Sequence, residues 1–482
     1  MTTTHRMFVD GAWCAAEDGA TSEATNPATG AVLGTVPEGS REDARRAIAA
    51  AGRAWPAWAA LSAFDRARAM RRVLEAIDAR REDLARTLTL DQGKPLAAEA
   101  RGEVEELMAY LEMAEADATR LEGSLAPSVD AGKRVLLQRV PRGVVGVISP
   151  WNWPYTMPAE LIAPALAAGN AVVWAPAPST SICAVALAEC FAEADLPPGV
   201  LNLVTGPGPV VGDEIAANPG TQAVGFIGSI ATGHRVAERA AGKELLLEMG
   251  GNGPLVVLDD ADLDRAVAAT LVACFLNAGQ SCTAGERILV QRSVHDAFVE
   301  RLAAAVAERV RIGDPLDDAT TMGPLNNAGV AAKTDGHVAD ARARGARVLA
   351  GGSRAGGLGS DLFYAPTVLD GVTDDMAIAR DETFGPVAPV SAIDDEDQAI
   401  ALVNGSPYGL LSAVFTADLR RGLRYAEAVR AGWVNVNEGT NYWESHLPFG
   451  GRAGSASGVG RVGGRHAMER LTELKTIVID LA

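Results

Sequence analysis

The hydrophobic positions change period along the chain. Residues 41–90 set Ala, Leu, Ile and Met three or four apart among Arg, Glu and Asp, the spacing of amphipathic helices, after an early β region that Asn26-Pro27-Ala28-Thr29-Gly30 punctuates with a turn. From Arg134 onward the pattern shortens. Residues 135–140 read as a strand, Pro141-Arg142-Gly143 breaks it, and residues 144–149 form a continuous apolar run suited to a strand covered on both faces. A helix over 161–168, a strand over 171–174, a helix over 182–193 and a strand over 200–204 then alternate as in a doubly wound α/β domain. A second alternation follows Glu248, with strand 253–258, helix 261–275, strand 287–290, helix 294–310 and strands near 387–393 and 433–436; residues 351–359 read as a loop. The predicted class is α/β with an α-rich N-terminal part.

Composition narrows the setting. A chain of 482 residues with 48% hydrophobic content buries a large core, and domain-size priors favour about three domains. The net charge of −18 argues against a nucleic-acid or anionic-membrane surface, which it would repel at long range. The N-terminus, Met1-Thr2-Thr3-Thr4-His5-Arg6, lacks the apolar core of an export signal, and the apolar stretch 266–276 is too short to span a bilayer. Five cysteines are an odd number, without CxxC or Cys/His spacing, so neither a disulfide framework nor a structural metal is indicated. The expectation is a reduced, cytoplasmic protein.

Three segments carry candidate chemistry. Cys282 stands in Asn277-Ala278-Gly279-Gln280-Ser281-Cys282-Thr283-Ala284, where small neighbours let a carbonyl approach sulfur; Glu248 stands in Leu247-Glu248-Met249-Gly250-Gly251-Asn252, where glycines let the backbone turn its carboxylate into the same cavity. Cys14, Cys183, Cys190 and Cys274 lack such a setting and read as packing or surface residues. In Pro150-Trp151-Asn152-Trp153-Pro154 a rigid backbone presents an amide donor suited to a developing oxyanion, although an Asn there also fits a turn residue satisfying its own backbone. After a strand over 223–227, Gly228-Ser229-Ile230-Ala231-Thr232-Gly233 opens a helix whose N–H groups can hold pyrophosphate; a Gly-Ser that only ends a strand is the bland alternative.

At these segments the sequence resembles the aldehyde dehydrogenase superfamily, of the NAD(P)-dependent, non-acylating Cys/Glu type. The resemblance runs from Asn26-Pro27-Ala28-Thr29-Gly30 through Leu447-Pro448-Phe449-Gly450-Gly451 to Glu473-Leu474-Lys475-Thr476-Ile477-Val478. It implies a variant Rossmann cofactor domain (1–124 and 142–250), an α/β catalytic domain (251–448) and a small β oligomerisation flap (125–141 and 466–482) in a homodimer or homotetramer. Strands at the flap would otherwise be exposed edges bearing Val, Leu and Ile.

The resemblance also implies roles. Cys282 attacks an aldehyde, Asn152 and the Cys282 N–H hold the oxyanion, hydride leaves to the nicotinamide, and Glu248 activates water to hydrolyse the thioester to an acid. Acyl-CoA-forming relatives dispense with this base, so its presence argues for water as acceptor. Gly228, Ser229 and Gly233 match the pyrophosphate turn. In Asp381-Glu382-Thr383-Phe384-Gly385-Pro386, Glu382 is implied to bond the nicotinamide-side ribose and Phe384 to pack by the ring; Ser149, Pro150 and Trp151 border the same cofactor surface. One departure is Trp174-Ala175-Pro176-Ala177-Pro178, which lacks the lysine and glutamate that face the adenosine ribose in the family. With no Arg or Lys in 172–183, NAD is expected and NADP is the alternative.

By position, Trp153, Met157 and Glu160 line or border the aldehyde tunnel, Ser281 and Thr283 flank the nucleophile, and Tyr442, Trp443 and His446 come from the loop before Pro448. Met157 fits core packing equally, Glu160 a solvent-facing helix position, and His446 a satisfied loop histidine. Aromatics with one carboxylate favour an aromatic, apolar or cationic aldehyde, because Glu160 would repel a carboxylate that an Arg would pair. A semialdehyde is the alternative substrate; a cysteine esterase or a non-catalytic cofactor-binding protein are the alternative classes.

Overall fold

The computed structural model describes residues 3–481. Met1, Thr2 and Ala482 lie outside them, including the start of the N-terminal segment and the last residue of the 466–482 flap. The chain folds around two large sheets. The first has eight strands in the order Gly458–Val459, Glu244–Met249, Ala223–Gly228, Val144–Ile148, Ala171–Ala175, Leu201–Leu203, Met7–Val9, Ala12–Cys14. Its five inner strands are parallel, and the strand pairs at both ends are antiparallel. The continuous apolar run at Val144–Ile148 is explained by this placement, since every residue of that strand is buried. Helices Thr156–Ala167 and Ser181–Glu193 cover the sheet, and Trp174, Leu161 and Phe191 fill the interior between layers.

Chain order reverses beside Val144–Ile148. The next two strands in sequence extend the sheet on one side, and Ala223–Gly228 then returns to pair on the other. Such a switch point opens a crevice at the C-terminal ends of the strands.

The second sheet has the order Arg347–Ala350, Thr367–Asp370, Val387–Ile393, Gly285–Gln291, Gly253–Val257, Leu411–Phe415, Trp433–Val436, parallel except for its first pair. Two smaller sheets complete the fold. Thr472–Asp480 pairs antiparallel along its whole length with Lys133–Pro141, which also pairs with Ser124–Ala126. Leu125, Leu136, Leu474, Val478 and Ile479 stand exposed on that three-stranded sheet. No described helix is long and apolar enough to cross a membrane.

Candidate active site

Adjacent parallel strands bring the three segments together. Ile227 pairs with Glu248 and Phe226 with Ile148, so the Gly228-Ser229 turn, Glu248 and the loop after Ile148 that carries Asn152 emerge side by side at the switch point. Cys282 arrives from the opposite sheet, on the loop between helix Leu263–Phe275 and strand Gly285–Gln291. Gly251 allows this approach, because a Cβ there would collide with the Cys282 carbonyl oxygen. A cavity of about 220 Å³ results; Cys282, Glu248 and Asn152 line it with Met157, and Gly228, Ser229, Glu382 and Phe384, the expected cofactor residues, line it too, with Pro150 and Trp151.

The loop carrying Cys282 is held by buried amides. Asn277 and Ala278 adopt left-handed backbone (φ 50° and 53°), an uncommon conformation that Asn tolerates and Ala does not favour. The Asn277 N–H donates to Glu99 Oε1 (3.0 Å), its Oδ1 accepts from Gln92 (3.0 Å), and its Nδ2 donates to the Asn152 carbonyl (3.0 Å). Asn152 Nδ2 in turn donates to the Gln280 carbonyl (3.1 Å), which holds one edge of its amide beside the cavity. Ser281 and Thr283 lie on either side of Cys282, buried, with hydroxyls 2.7 Å apart.

Electrostatically the centre is acidic. Burial pushes the Glu248 carboxyl up to about 8, and Glu382 adds to the rise. Burial also lifts the Cys282 thiol well above its ordinary value, with Glu248, Glu382 and Glu160 acting in the same direction. A thiol surrounded by carboxylates needs a proton acceptor or a bound cation before it becomes a nucleophile.

The Glu382 loop was legible by motif, but its support was not. Buried Glu286 accepts from the N–H groups of Thr383 (2.8 Å) and Phe384 (2.6 Å), and Glu382 Oε1 accepts from Gly251 N–H (3.0 Å). A Cβ on Gly250 would sit 2.7 Å from both Glu382 oxygens. Phe384 meets Trp151 edge-on, ring centres 5.5 Å apart, and Lys333 joins the cavity wall from helix Ala328–Ala343, a segment with no motif to mark it.

A second cavity, about 190 Å³, lies beyond Ser229 on the flank of helix Ile230–Arg239 and is walled by Ile148, Pro209, Gly212, Thr232 and Val236. The Ser229 side chain caps that helix. The two cavities on either side of a helix N-terminus fit a dinucleotide, with pyrophosphate at the free N–H groups. Gly233 faces neither cavity; it lets the helix pack on Met249, whose sulfur a Cβ would strike. Ser149 is likewise internal, accepting from Trp174 Nε1 (2.8 Å). Arg235 and Arg239 reach the second cavity from the helix, cations well outside residues 172–183; Arg239 is paired with Asp213 (2.8 Å).

The expected tunnel residues divide. Tyr442, Trp443 and His446 line a separate open cavity of about 480 Å³ with Glu106. Trp153 is packed, edge-on to Trp443 and with Lys94 Nζ 3.6 Å above its ring. Glu160 lines neither cavity and does not face solvent: it is buried and accepts from Tyr110 Oη (3.1 Å). Burial raises its carboxyl well above the usual range, with Glu248 and Glu106 adding to the effect. A carboxyl turned away from the cavity and bonded to Tyr110 is not placed to meet a substrate, which removes the charge argument for an aromatic or cationic aldehyde.

Known proteins similar to this chain point the same way. It is 42% identical over 478 residues to the glutarate-semialdehyde dehydrogenase of Pseudomonas putida, covering 99% of this chain and 98% of that protein. It is 41% identical to the NADP-dependent succinate-semialdehyde dehydrogenase of Escherichia coli, covering 99% and 98%. Both names fit the semialdehyde alternative and not the aromatic, apolar or cationic expectation. The crystal structure of an NAD-dependent aldehyde dehydrogenase from Sinorhizobium meliloti superposes with a TM-score of 0.96 at 38% identity, covering 100% of this chain and 95% of that one. The family model described as "Aldehyde dehydrogenase family" matches residues 13–477, and the chain belongs to the aldehyde dehydrogenase family.

Proposed function

We propose that this chain oxidises an aldehyde to a carboxylic acid with an NAD-type cofactor. The observation that carries the reading is the convergence of Cys282, Glu248 and Asn152 on one cavity whose other wall is the Ser229 helix N-terminus and the Glu382–Phe384 loop. Cys282 sulfur adds to the carbonyl carbon, and the Asn152 amide stabilises the resulting oxygen. A bound nicotinamide dinucleotide supplies the acceptor for the hydride that this carbon loses. The acyl group then rests on Cys282 as a thioester, and Glu248 takes a proton from the water that hydrolyses it. NAD is the expected cofactor; Arg235 and the name of the E. coli relative support NADP as the alternative.

For the substrate we favour a semialdehyde, on the names of the relatives and the position of Glu160 outside the cavity wall. The aromatic or apolar alternative is left with Met157 alone in the cavity wall, since Trp153 is packed and Trp443 lines the separate cavity. Initial rates of nicotinamide reduction with NAD and NADP, across succinic and glutaric semialdehydes, benzaldehyde and an aminoaldehyde, test both. Reduction abolished in Cys282→Ala is the expected result; no reduction with any aldehyde overturns the oxidation itself.

The same reading assigns the first sheet to a cofactor domain (1–124 and 142–250), the second to a catalytic domain (251–448), and the 125–141 and 466–482 strands to contact with a second copy in a homodimer or homotetramer. The exposed apolar side chains of Leu125, Leu136, Leu474 and Val478 support the last assignment. Five free cysteines support a reducing, cytoplasmic setting.

A further inference from the structure

Phe384 carries the backbone strain of the loop 381–385. Its φ is 60°, a left-handed value that a bulky side chain rarely adopts. Its ring nevertheless has a defined place: it lines the cavity that holds Cys282, edge-on to Trp151 at 5.5 Å and with Lys333 Nζ 5.8 Å from its centre. A strained conformation of this kind persists only where surrounding groups hold it.

The holding group is a carboxyl. Glu286, on strand Gly285–Gln291, is 3% exposed, and its two oxygens are divided between successive main-chain donors: Oε2 accepts from Thr383 N–H (2.8 Å) and Oε1 from Phe384 N–H (2.6 Å). Successive N–H groups converge on one anion where the backbone passes into a left-handed residue. Burial and Glu382 push the Glu286 carboxyl above its ordinary range, while these two bonds and Lys333 pull it back. A carboxyl is costly to bury unless its oxygens are bonded, and here the bonds go to the strained turn. The other grips on the loop act on its neighbours: Tyr408 Oη accepts from Glu382 N–H (3.1 Å), and His337 Nδ1 lies 3.0 Å from Thr383 Oγ1. Glu382, two residues before Phe384, lines the same cavity and accepts from Gly251 N–H (3.0 Å). A shift at Phe384 therefore moves both side chains that the loop presents.

We infer that Glu286 is a positioning residue for the nicotinamide end of the cofactor: by holding the left-handed turn at Phe384, it fixes the Phe384 ring and the Glu382 carboxylate in the cavity wall. Glu286 does not line the cavity itself, so its effect passes through Phe384. The inference rests on the cofactor reading proposed above.

Glu286→Gln keeps the shape but turns an NH2 toward one of the two N–H groups, setting donor against donor. In Phe384→Gly, glycine adopts the left-handed turn unaided and carries no ring to place. Affinities for NADH and NADPH are measured by fluorescence titration in the purified full-length parent, both single variants and the double variant. The rate of Cys282 alkylation by iodoacetamide without cofactor is the second readout. Glu286→Gln is expected to weaken binding of the better-bound dinucleotide by about tenfold in the parent and by no more than about twofold in the Phe384→Gly background, because the two residues act as one unit. Alkylation in Glu286→Gln is expected to stay within about twofold of the parent, since the thiol is held by other bonds. Glu286→Asp keeps the charge and shortens the reach by one methylene; it shifts affinity in the same direction and replaces the Gln variant if that one does not fold. A folded Glu286 variant that binds within about twofold of the parent, an equal loss in both backgrounds, or a loss matched by slower alkylation overturns the assignment. Failure of both Glu286 variants to fold also overturns it, because Glu286 would then serve the fold and not the cofactor. A parent that binds neither dinucleotide overturns the cofactor reading instead, so the two failures are distinguishable.

Discussion

The side-chain amide of Asn277 donates to the main-chain carbonyl of Asn152 at 3.0 Å, joining the loop that carries the Cys282 thiol to the loop that carries Asn152, the proposed oxyanion donor. These loops come from opposite sheets, and both are irregular, so their relative position depends on such bonds. Asn277→Ala removes the side-chain bonds to Asn152 and Gln92 and places a Cβ-only residue at φ 50°. Displacement of reacting groups by about 1 Å costs on the order of a hundredfold in rate. Asn277→Ala is expected to lose turnover by about that factor while retaining cofactor affinity, measured by binding titration, because the Gly228-Ser229 turn belongs to the other sheet. An equal loss of cofactor affinity would contradict this assignment.

Asn152 itself offers the more direct test. One amide edge is occupied by the Gln280 carbonyl at 3.1 Å, which leaves the second N–H of Nδ2 for the cavity. Removing one preorganised oxyanion donor costs roughly a hundred- to a thousandfold. Asn152→Ala is therefore expected to bind cofactor normally and lose turnover in that range; an unchanged kcat would remove Asn152 from the mechanism.

What the sequence made legible follows from locality. Helix and strand periods placed Val144–Ile148, Ser181–Glu193 and Val387–Ile393 within a few residues, since each is decided by its own burial pattern. The motifs at Cys282, Glu248 and Asn152 were readable because close approach and turning demand particular residues at adjacent positions. Groups that act across long separations were not. Glu286 supports Phe384 from 98 residues away, Glu99 holds Asn277 from 178, and Lys333 enters from a helix with no local mark. Glu160 fits neither the tunnel nor the solvent-facing position that its sequence setting allows, because its burial against Tyr110 is determined by helices distant in sequence.

Glu248 sets a pH dependence. With its carboxyl pushed up to about 8, only about one molecule in ten carries the ionised base at pH 7. The base form increases as pH rises through the folded value, so steady hydrolysis is expected to climb from pH 7 to 9 and then level. Glu248→Gln should keep the burst of reduced cofactor and lose this pH-dependent steady rate. Stopped-flow absorbance at several pH values checks both; a burst lost together with the steady rate would place Glu248 before acyl-enzyme formation.

Stability rests partly on a pair outside the cavity. Lys94 and Glu103 side chains are each 1% exposed and 2.5 Å apart. Lys94→Met keeps much of the volume but leaves Glu103 buried without its cation, a change that costs about 3–5 kcal/mol. Denaturant unfolding is expected to move to a lower midpoint, with the extrapolated unfolding free energy reduced by that amount and an unchanged slope if the transition stays two-state. Replacing both partners together, Lys94→Met with Glu103→Leu, should cost less than the single change if the loss arises from the unpaired charge, although the Tyr155 N–H then loses its acceptor as well.

The proposed cofactor choice can be tested at the end of strand Ala171–Ala175. Ala175 pairs with Ile148, and Ile148 walls the second cavity, so a long side chain at 175 lies within reach of whatever occupies that space. Ala175 is 3% exposed, and a lysine there must extend its stem along the strand end toward the cavity to keep its ammonium solvated. A cation in that position attracts a 2′-phosphate and gains little from a free 2′-hydroxyl. Ala175→Lys is therefore expected to raise kcat/KM for NADP relative to NAD by about tenfold, roughly the 1.4 kcal/mol of one charge-assisted contact. Exposed Pro178 allows the opposite change: Pro178→Glu adds a carboxylate that repels the phosphate and can accept from the hydroxyl, shifting the ratio toward NAD. Opposite shifts from the two variants would place both beside the adenosine ribose. An unchanged ratio in both would mean that the 175–178 segment lies away from it, and would leave Arg235, on the far wall of the same cavity, as the residue to vary next.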